Sequence, residues 1–474
     1  MKRKGDGIVS TKELTKTASA QKKNSNPYSL GNALKNGGPI VWLSCLLFGL
    51  GNIMAGQVIK GLLYMAIEIG VIIFLVIPEG GIHWLSMMPS LGWLEQGKVW
   101  NDAEGIYEYS AGHQSQLILL YGVATCLILG VFALLWFWSV RGGYKALCMK
   151  KAGKHVNTFK EDLSALFDGN IHTFLMTPPI VALAIFTVTP LIYMMAMAFT
   201  NYSKVDNHLV LFDWVGVKNF ADMLNAGSSI GREFWGVLSW TLIWAFFATF
   251  LNFIFGTIVA IIINRPGTKI KSFWRTCLCV TIAVPQFVSL LTMRTMLQDQ
   301  GIVNTLLRDW GFIAQSDALP FFTNTTWARC TVIIINLWVG IPYTIMQVTG
   351  ILKNIPADLY EAARIDGANT FQQFRSITLP YMIFVMTPQI ISSFTGNINN
   401  FNVIFLLSGG APQSIENTAG STDLLVTWLY KLSVDQQKYN LAAVIGILTF
   451  IILAVVSLVT YRSSGSYKNE EGFN

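Results

Sequence analysis

An all-α integral membrane protein with about eight membrane-crossing helices is the fold this sequence predicts, and three observations predict it. Of 474 residues, 53% are hydrophobic and only 12% charged, about half the charge of an average soluble domain. The apolar residues gather in blocks long enough to cross a ~30 Å hydrocarbon core, which takes roughly 20 helical residues. Lys and Arg crowd alternate loops, as expected where basic residues are held on the cytoplasmic side.

The apolar blocks fall near 58–78, 117–140, 174–199, 236–263, 276–297, 327–352, 382–408 and 439–461. A further stretch at 40–56 is borderline in length and is weakened by Gly49, Gly51, Asn52 and Gly56, so it is expected to be interfacial or re-entrant. Charge supports that choice. With eight spans, both termini and the loops 141–173, 264–275 and 353–381 share one side, which gathers Lys2, Arg3, Lys4, Arg141, Lys150, Lys151, Arg265, Lys271, Lys353 and Arg375. A ninth span would put the first tail and the 141–173 loop on opposite sides.

The organisation expected along the chain begins with a Lys-rich, disordered cytoplasmic tail at 1–36, without the apolar core of a signal peptide. An interfacial segment plus a two-helix hairpin follows at 37–140, then a cytoplasmic loop at 141–173. A six-span core occupies 174–461, with a polar interruption at 353–381, and 462–474 forms a second cytoplasmic tail. The net charge of +7 is accounted for by topology and anionic lipid headgroups, so no nucleic-acid partner is implied. Six cysteines, at 45, 126, 148, 277, 279 and 330, lie in or near apolar blocks without metal-finger spacing and are expected to be small buried hydrophobes. The five histidines are scattered and form no metal or catalytic cluster.

The most informative segment is EAARIDGANTFQQFRSITLP at 361–380. It is too polar for the membrane and too regular for a loop. Pro356 suits a helix start, and Gly367 can stop that helix in a left-handed turn. Asn369 with Gln372 three residues later forms a capping pair for a second short helix. The product is a helix-turn-helix in which Ala362, Ala363 and Gly367 admit close approach of another backbone, while Glu361, Arg364 and Asp366 offer polar handles.

This segment resembles the EAA coupling loop of binding-protein-dependent ABC importer permeases: Glu361, Ala362, Ala363, Asp366, Gly367, Ala368, Phe374, Leu379 and Pro380 fit the family pattern in register. The resemblance extends over 174–461 and points to the sugar-specific, MalF-like branch, through FLMTPPIVALAIFTVTPLIYMMAMAFTNYS at 174–203, WVGVKNF at 214–220, GIVNTLL at 301–307, NLWVGIPYTIMQVTGILKNIP at 336–356 and SFTGNINNFNVIFLLSGG at 393–410. Residues 1–140 match only in general plan. Two departures stand out. The large domain found after the third span in enterobacterial maltose permeases is replaced by the short stretch 200–235, and the usual Gly-Gly-Pro reads Gly409, Gly410, Ala411, Pro412.

The resemblance implies a maltose- or maltodextrin-transporting permease subunit of a bacterial cytoplasmic membrane, with other neutral sugars such as galacto-oligosaccharides as the alternative. Its implied partners are a second permease, two ATP-binding subunits and an extracytoplasmic sugar-binding protein, with ATP and magnesium held by the ATPase and no cofactor on this chain. The chain itself has no GxxxxGK[ST] phosphate loop.

Polar residues inside a span face the protein interior or a wet cavity. In the sixth span Asn336, Gly340, Tyr343 and Gln347 recur at helical spacing, and in the seventh Gln389, Ser393, Asn397 and Asn400 do the same. Amide and hydroxyl groups match the hydroxyls of a neutral sugar without bringing charge into the membrane, and Tyr343 offers an apolar ring face. Gly340 is expected to leave room for a sugar ring. The resemblance implies sugar contact for Gly340, Tyr343, Ser393, Asn397 and Asn400; Asn336, Gln347, Gln389 and Asn399 are added from spacing alone. The competing role for such residues is hydrogen bonding between helices. A secondary transporter would need coupling carboxylates at depth, and a membrane glycosyltransferase paired acids near the interface; no clear candidate for either stands out.

Overall fold

The computed structural model describes residues 27–92, 98–102, 104–109, 114–205, 208–209, 212–265 and 267–463. It is helical nearly throughout. Among the described residues, seven helices are long and apolar enough to cross a membrane, and a bent pair makes an eighth. The chain divides into two compact units, residues 1–193 and 194–474, with the boundary inside the third span.

In the first unit, α1 (Leu30–Asn36), α2 (Gly38–Leu46) and α3 (Leu50–Ala55) precede the long helices α4 (Val58–Val76) and α5 (Ser115–Lys151). Helix α1 lies in the stretch expected to be disordered through residue 36, and it departs from that expectation for a local reason. Ser29 accepts from Asn32 N as an N-cap, and Ala33 is fully buried against Val41 and Tyr144. The expected disorder at 1–26 lies outside the described residues. The 40–56 stretch is two short helices broken at Gly49, whose φ of 75° is left-handed, and neither is long enough to span. Residues 98–101 and 106–109 form a small antiparallel hairpin. Helix α6 (Phe159–Phe167) is closed by a capping box from Thr158 and Glu161, and α7 (Ile171–Met197) is the third span.

In the second unit the long helices are α8 (Ser229–Asn264), α11 (Thr325–Asn354), α13 (Thr370–Ile398) and α14 (Tyr439–Ser463). Helices α8 and α11 pack closely. Gly256 faces Thr344 so tightly that a Cβ would lie 2.5 Å from the Thr344 Cβ. Apolar residues of α8, α11 and α13, among them Ala260, Ile345, Val348 and Met382, seal the pair on one side.

The span expected as one helix over 276–297 is instead broken. Helix α9 (Lys271–Ala283) and α10 (Gln286–Met296) meet at 87°. Val284 is extended before Pro285, as the ring of a following proline forces. The span expected to run on to 408 likewise stops at Ile398. There Asn400 leaves the helical path and caps the next short helix, its Oδ1 accepting from Val403 N at 3.3 Å. The cysteines depart from expectation too: Cys45, Cys148 and Cys279 are half-buried and Cys126, Cys277 and Cys330 exposed, which costs an apolar side chain nothing where its neighbour is lipid.

Between α11 and α13 the polar segment folds as its residues dictate. Helix α12 (Ala357–Ile365) ends at Asp366, Gly367 turns with φ of 78°, and Asn369 and Gln372 cap each other reciprocally at 2.9 and 2.8 Å. The first turns of α13 include a π-turn at Phe374–Thr378. Tyr360 Oη lies 2.8 Å from Thr378 Oγ1, tying α12 to the base of α13.

Candidate functional site: an amide-lined cavity joined to an exposed hairpin

Helices α8, α10, α11 and α13 enclose a cavity of about 370 Å³, within the usual range of roughly 300–1,000 Å³ for ligand pockets. It is walled by both polar stripes expected from sequence: Asn336, Gly340, Tyr343 and Gln347 from α11, Gln389, Ser393 and Asn397 from α13, and Asn400 just past the end of α13. Asn399 does not line it and is exposed. It is the C-cap of α13, so the helical spacing that placed it with the others ends one residue earlier. Four further polar contributors, Thr249 and Asn252 from α8, Gln286 from α10 and Thr344 from α11, were not expected. Asn252 could have been found as an isolated amide inside an apolar span; Gln286 reaches the cavity only because the span breaks at Pro285.

The residues divide by what their hydrogen bonds are used for. Asn397 is committed to protein: its Nδ2 donates to Thr249 Oγ1 at 3.0 Å, its Oδ1 accepts from Asn400 Nδ2 at 3.3 Å, and its carbonyl accepts from Trp244 Nε1 at 3.1 Å. Gln389 Nε2 reaches Ser393 Oγ at 3.4 Å. Tyr343, half exposed in the cavity wall, makes no hydrogen bond among the described residues, and neither do the side chains of Gln347 and Gln286. Two buried amide atoms beside the cavity, Asn252 Oδ1 and Asn336 Nδ2, have no partner, and an orphaned buried polar atom costs about 1–3 kcal/mol.

Gly340 has a different use from the one expected. A Cβ there would fall on the Asn252 side-chain amide, so the space opened by glycine is filled by α8 and not left for a ligand. No charged side chain lines the cavity. Its chemistry suits a neutral molecule with many hydroxyls, which can both donate and accept.

The second candidate region is the α12 hairpin. Glu361, Ala362, Arg364, Asp366 and Gly367 are exposed, and Ala363 is half-buried. Glu361, Arg364 and Asp366 form no ion pair among the described residues. Beside them stand Ile365 and Phe371, 87% and 68% exposed. Large apolar side chains exposed on a polar hairpin are a feature of surfaces that meet another protein or a membrane.

Comparison with known proteins agrees with this geometry. Residues 252–464 match the family described as "Binding-protein-dependent transport system inner membrane component". The maltodextrin transport system permease protein MdxF of Bacillus subtilis (strain 168) is 33% identical over 90% of this chain and 96% of its own length. The galactooligosaccharides transport system permease protein GanP of the same organism is 36% identical over 73% of this chain and 82% of its own. Among solved structures, a chain of a bacterial ABC transporter involved in alginate import superposes with a TM-score of 0.51, covering 63% of this chain and 96% of that one at 23% identity, a likeness of fold alone. Matched nearly end to end by such a relative, and carrying both the hairpin and the span architecture, this chain belongs to the family of inner-membrane components of binding-protein-dependent transport systems, in the branch of the maltose and maltodextrin permeases.

Proposed function

We propose that this chain is the translocating permease subunit of an ATP-driven importer of maltose- or maltodextrin-type oligosaccharides, with galacto-oligosaccharides the closest alternative. One observation carries the reading. The uncharged, amide-lined cavity and the exposed hairpin belong to the same two helices, since α11 runs from Asn336 into the hairpin and α13 leads from it to Ser393. Tyr343 lies 11 residues before the end of α11, or about 16 Å at ~1.5 Å per residue. A push on the hairpin therefore moves two walls of the cavity together.

In this reading, two ATP-binding subunits hold Mg-ATP and grip the hairpins, one on this chain and one on a second, different permease with which it forms a heterodimer. An extracytoplasmic sugar-binding protein delivers the sugar. Closure of the ATPases on ATP opens the cavity outward, and hydrolysis returns it inward. The hairpin and both termini face the cytoplasm. Glu361, Arg364 and Asp366 supply the polar grip, Ala362, Ala363 and Gly367 the close approach, and Tyr343 a ring for a sugar's C–H face.

The test is the reconstituted complex in proteoliposomes, with labelled maltotriose uptake and sugar-stimulated ATP hydrolysis measured together. Tyr343→Ala, which removes no protein hydrogen bond, is expected to lower uptake about tenfold, the effect of ~1.4 kcal/mol. Gly367→Pro cannot adopt the left-handed turn and is expected to abolish stimulation. Unchanged uptake in the first variant, or normal stimulation in the second, would count against the corresponding half of the proposal.

A further inference from the structure

We infer that an anionic phospholipid binds where α8, α9 and α11 meet at the hairpin end of the spans, its headgroup held by Lys271 and Arg275 with Arg265 and Lys269 at the rim. The site is independent of which sugar is carried.

The joint is built around one side chain. Asn264, the last residue of α8, donates through Nδ2 to Thr349 Oγ1 of α11 at 3.0 Å and accepts at Oδ1 from Arg275 Nη2 of α9 at 3.1 Å. Its carbonyl accepts from Lys271 Nζ at 3.0 Å. Thr349 precedes the end of α11 by five residues, about 7 Å at ~1.5 Å per residue, so the joint lies beside the root of the hairpin.

The charge gathered there is not met by the protein. No Asp or Glu occurs between Glu233 and Asp299, and Arg265, Lys269, Lys271 and Arg275 form no ion pair among the described residues. Lys271 and Arg275 are half-buried, and the buried Nε of Arg275 has no hydrogen-bond partner among the described residues. Basic residues in such a loop follow from topology alone. Topology does not require two of them to be drawn out of water onto one asparagine, where a cation without an anion is costly. A guanidinium beside an ammonium suits the oxygens of a phosphate.

The apolar surface of α9 argues that this phosphate carries acyl chains. Lys271, Arg275 and Cys279 fall on one face at helical spacing, and Cys279 Sγ donates to Pro342 O of α11 at 3.8 Å. Flanking that face are Phe273, Trp274 and Leu278, with Ile270 just before the helix, all exposed. Meeting at 87°, α9 and α10 cannot both run along the membrane normal. A helix with basic residues and a Trp beside an apolar flank is the one suited to headgroup level, with that flank toward the acyl chains. A soluble anion would leave the flank without use.

The experiment uses the assembled complex in mild detergent, titrated with phosphatidylglycerol or phosphatidylcholine, with bound lipids counted by native mass spectrometry. Arg265→Gln and Lys269→Gln change exposed side chains and leave the Asn264 joint intact. Each is expected to weaken phosphatidylglycerol binding about fivefold, the equivalent of ~1 kcal/mol per cation near an anionic headgroup. Lys154→Gln, an exposed cation on another loop, is expected to change nothing. Lys271→Gln combined with Arg275→Gln is expected to erase the preference for phosphatidylglycerol over phosphatidylcholine. Equal affinity in wild type and all of these variants overturns the site, and equal weakening by Lys154→Gln overturns it in favour of diffuse surface charge. Displacement of the lipid by inorganic phosphate at matching concentration overturns it in favour of a soluble anion. Variants that shed the ATP-binding subunits but keep their lipid overturn it in favour of a protein contact.

Discussion

Two regions of this protein place polar side chains among apolar helices, and they use them in opposite ways. In the first unit Glu68, 6% exposed, accepts from Phe48 N at 2.8 Å, Ser139 Oγ accepts from Gly49 N at 2.8 Å, and Asn52 and Gln57 bond each other at 2.7 Å. Gln57 passes its remaining donor to Asn157 O at 2.7 Å. The groups satisfy one another around the broken 40–56 stretch, with Asn52 Oδ1 the one left over. In the second unit Tyr343, Gln347 and Gln286 border open volume with their hydrogen bonds unspent. Polar residues inside a membrane protein thus mark a site when their capacity faces a cavity, and mark packing when it is consumed by neighbours.

The sharpest way to break this comparison is to fill the open volume. Gly340→Leu drives a side chain onto the Asn252 amide and into the cavity, and uptake is expected to fall about a hundredfold, as misplacement near a bound substrate can cost. Retained uptake in that variant would show that the cavity is not on the route. Next is a matched pair of replacements. Glu68→Leu strands the Phe48 N–H and is expected to cost about 1–3 kcal/mol of stability, read as a lower thermal midpoint with uptake per folded molecule unchanged. Gln347→Leu strands nothing and is expected to lower uptake several-fold with the midpoint unchanged. The same response in both assays for both variants would erase the distinction between packing and site.

What was legible in the sequence followed from local rules. The hairpin's turn at Gly367 and its cap at Asn369 and Gln372 involve residues within a few positions of one another, and spacing alone put Asn336, Tyr343 and Gln347 on one face of α11. What was not legible required a second helix. That Gly340 serves Asn252, and that Asn397 is tied to Thr249, depend on how α8 lies against α11 and α13. The break at Val284 and Pro285 was signalled by the proline, but its 87° angle comes from packing. The hollow beside the loop 409–423 is assembled from acids and guanidiniums on three separate segments, which no single stretch announces.

The smallest expected effect lies at the polar rim of the first unit, where the packing network reaches water. Lys60 Nζ meets Asp162 Oδ2 at 2.7 Å, and Glu161 caps α6 by accepting from Thr158 N at 2.8 Å beside His155 at 2.9 Å. The Thr158 backbone donor first, and the His155 ring after it, hold the Glu161 carboxyl below its ordinary value. A carboxyl depressed in the folded state supports the cap above its unfolded pKa and loses that support as pH falls through the lower, folded value. Protection of the α6 amides, corrected for intrinsic exchange, is therefore expected to hold steady from neutral pH to about the ordinary Glu value of ~4.3 and to decline below it. Glu161→Gln should remove most of the decline, because its amide oxygen still accepts from Thr158 but no longer titrates. A decline of equal depth in that variant would show that the Glu161 cap is not the source of the acid sensitivity.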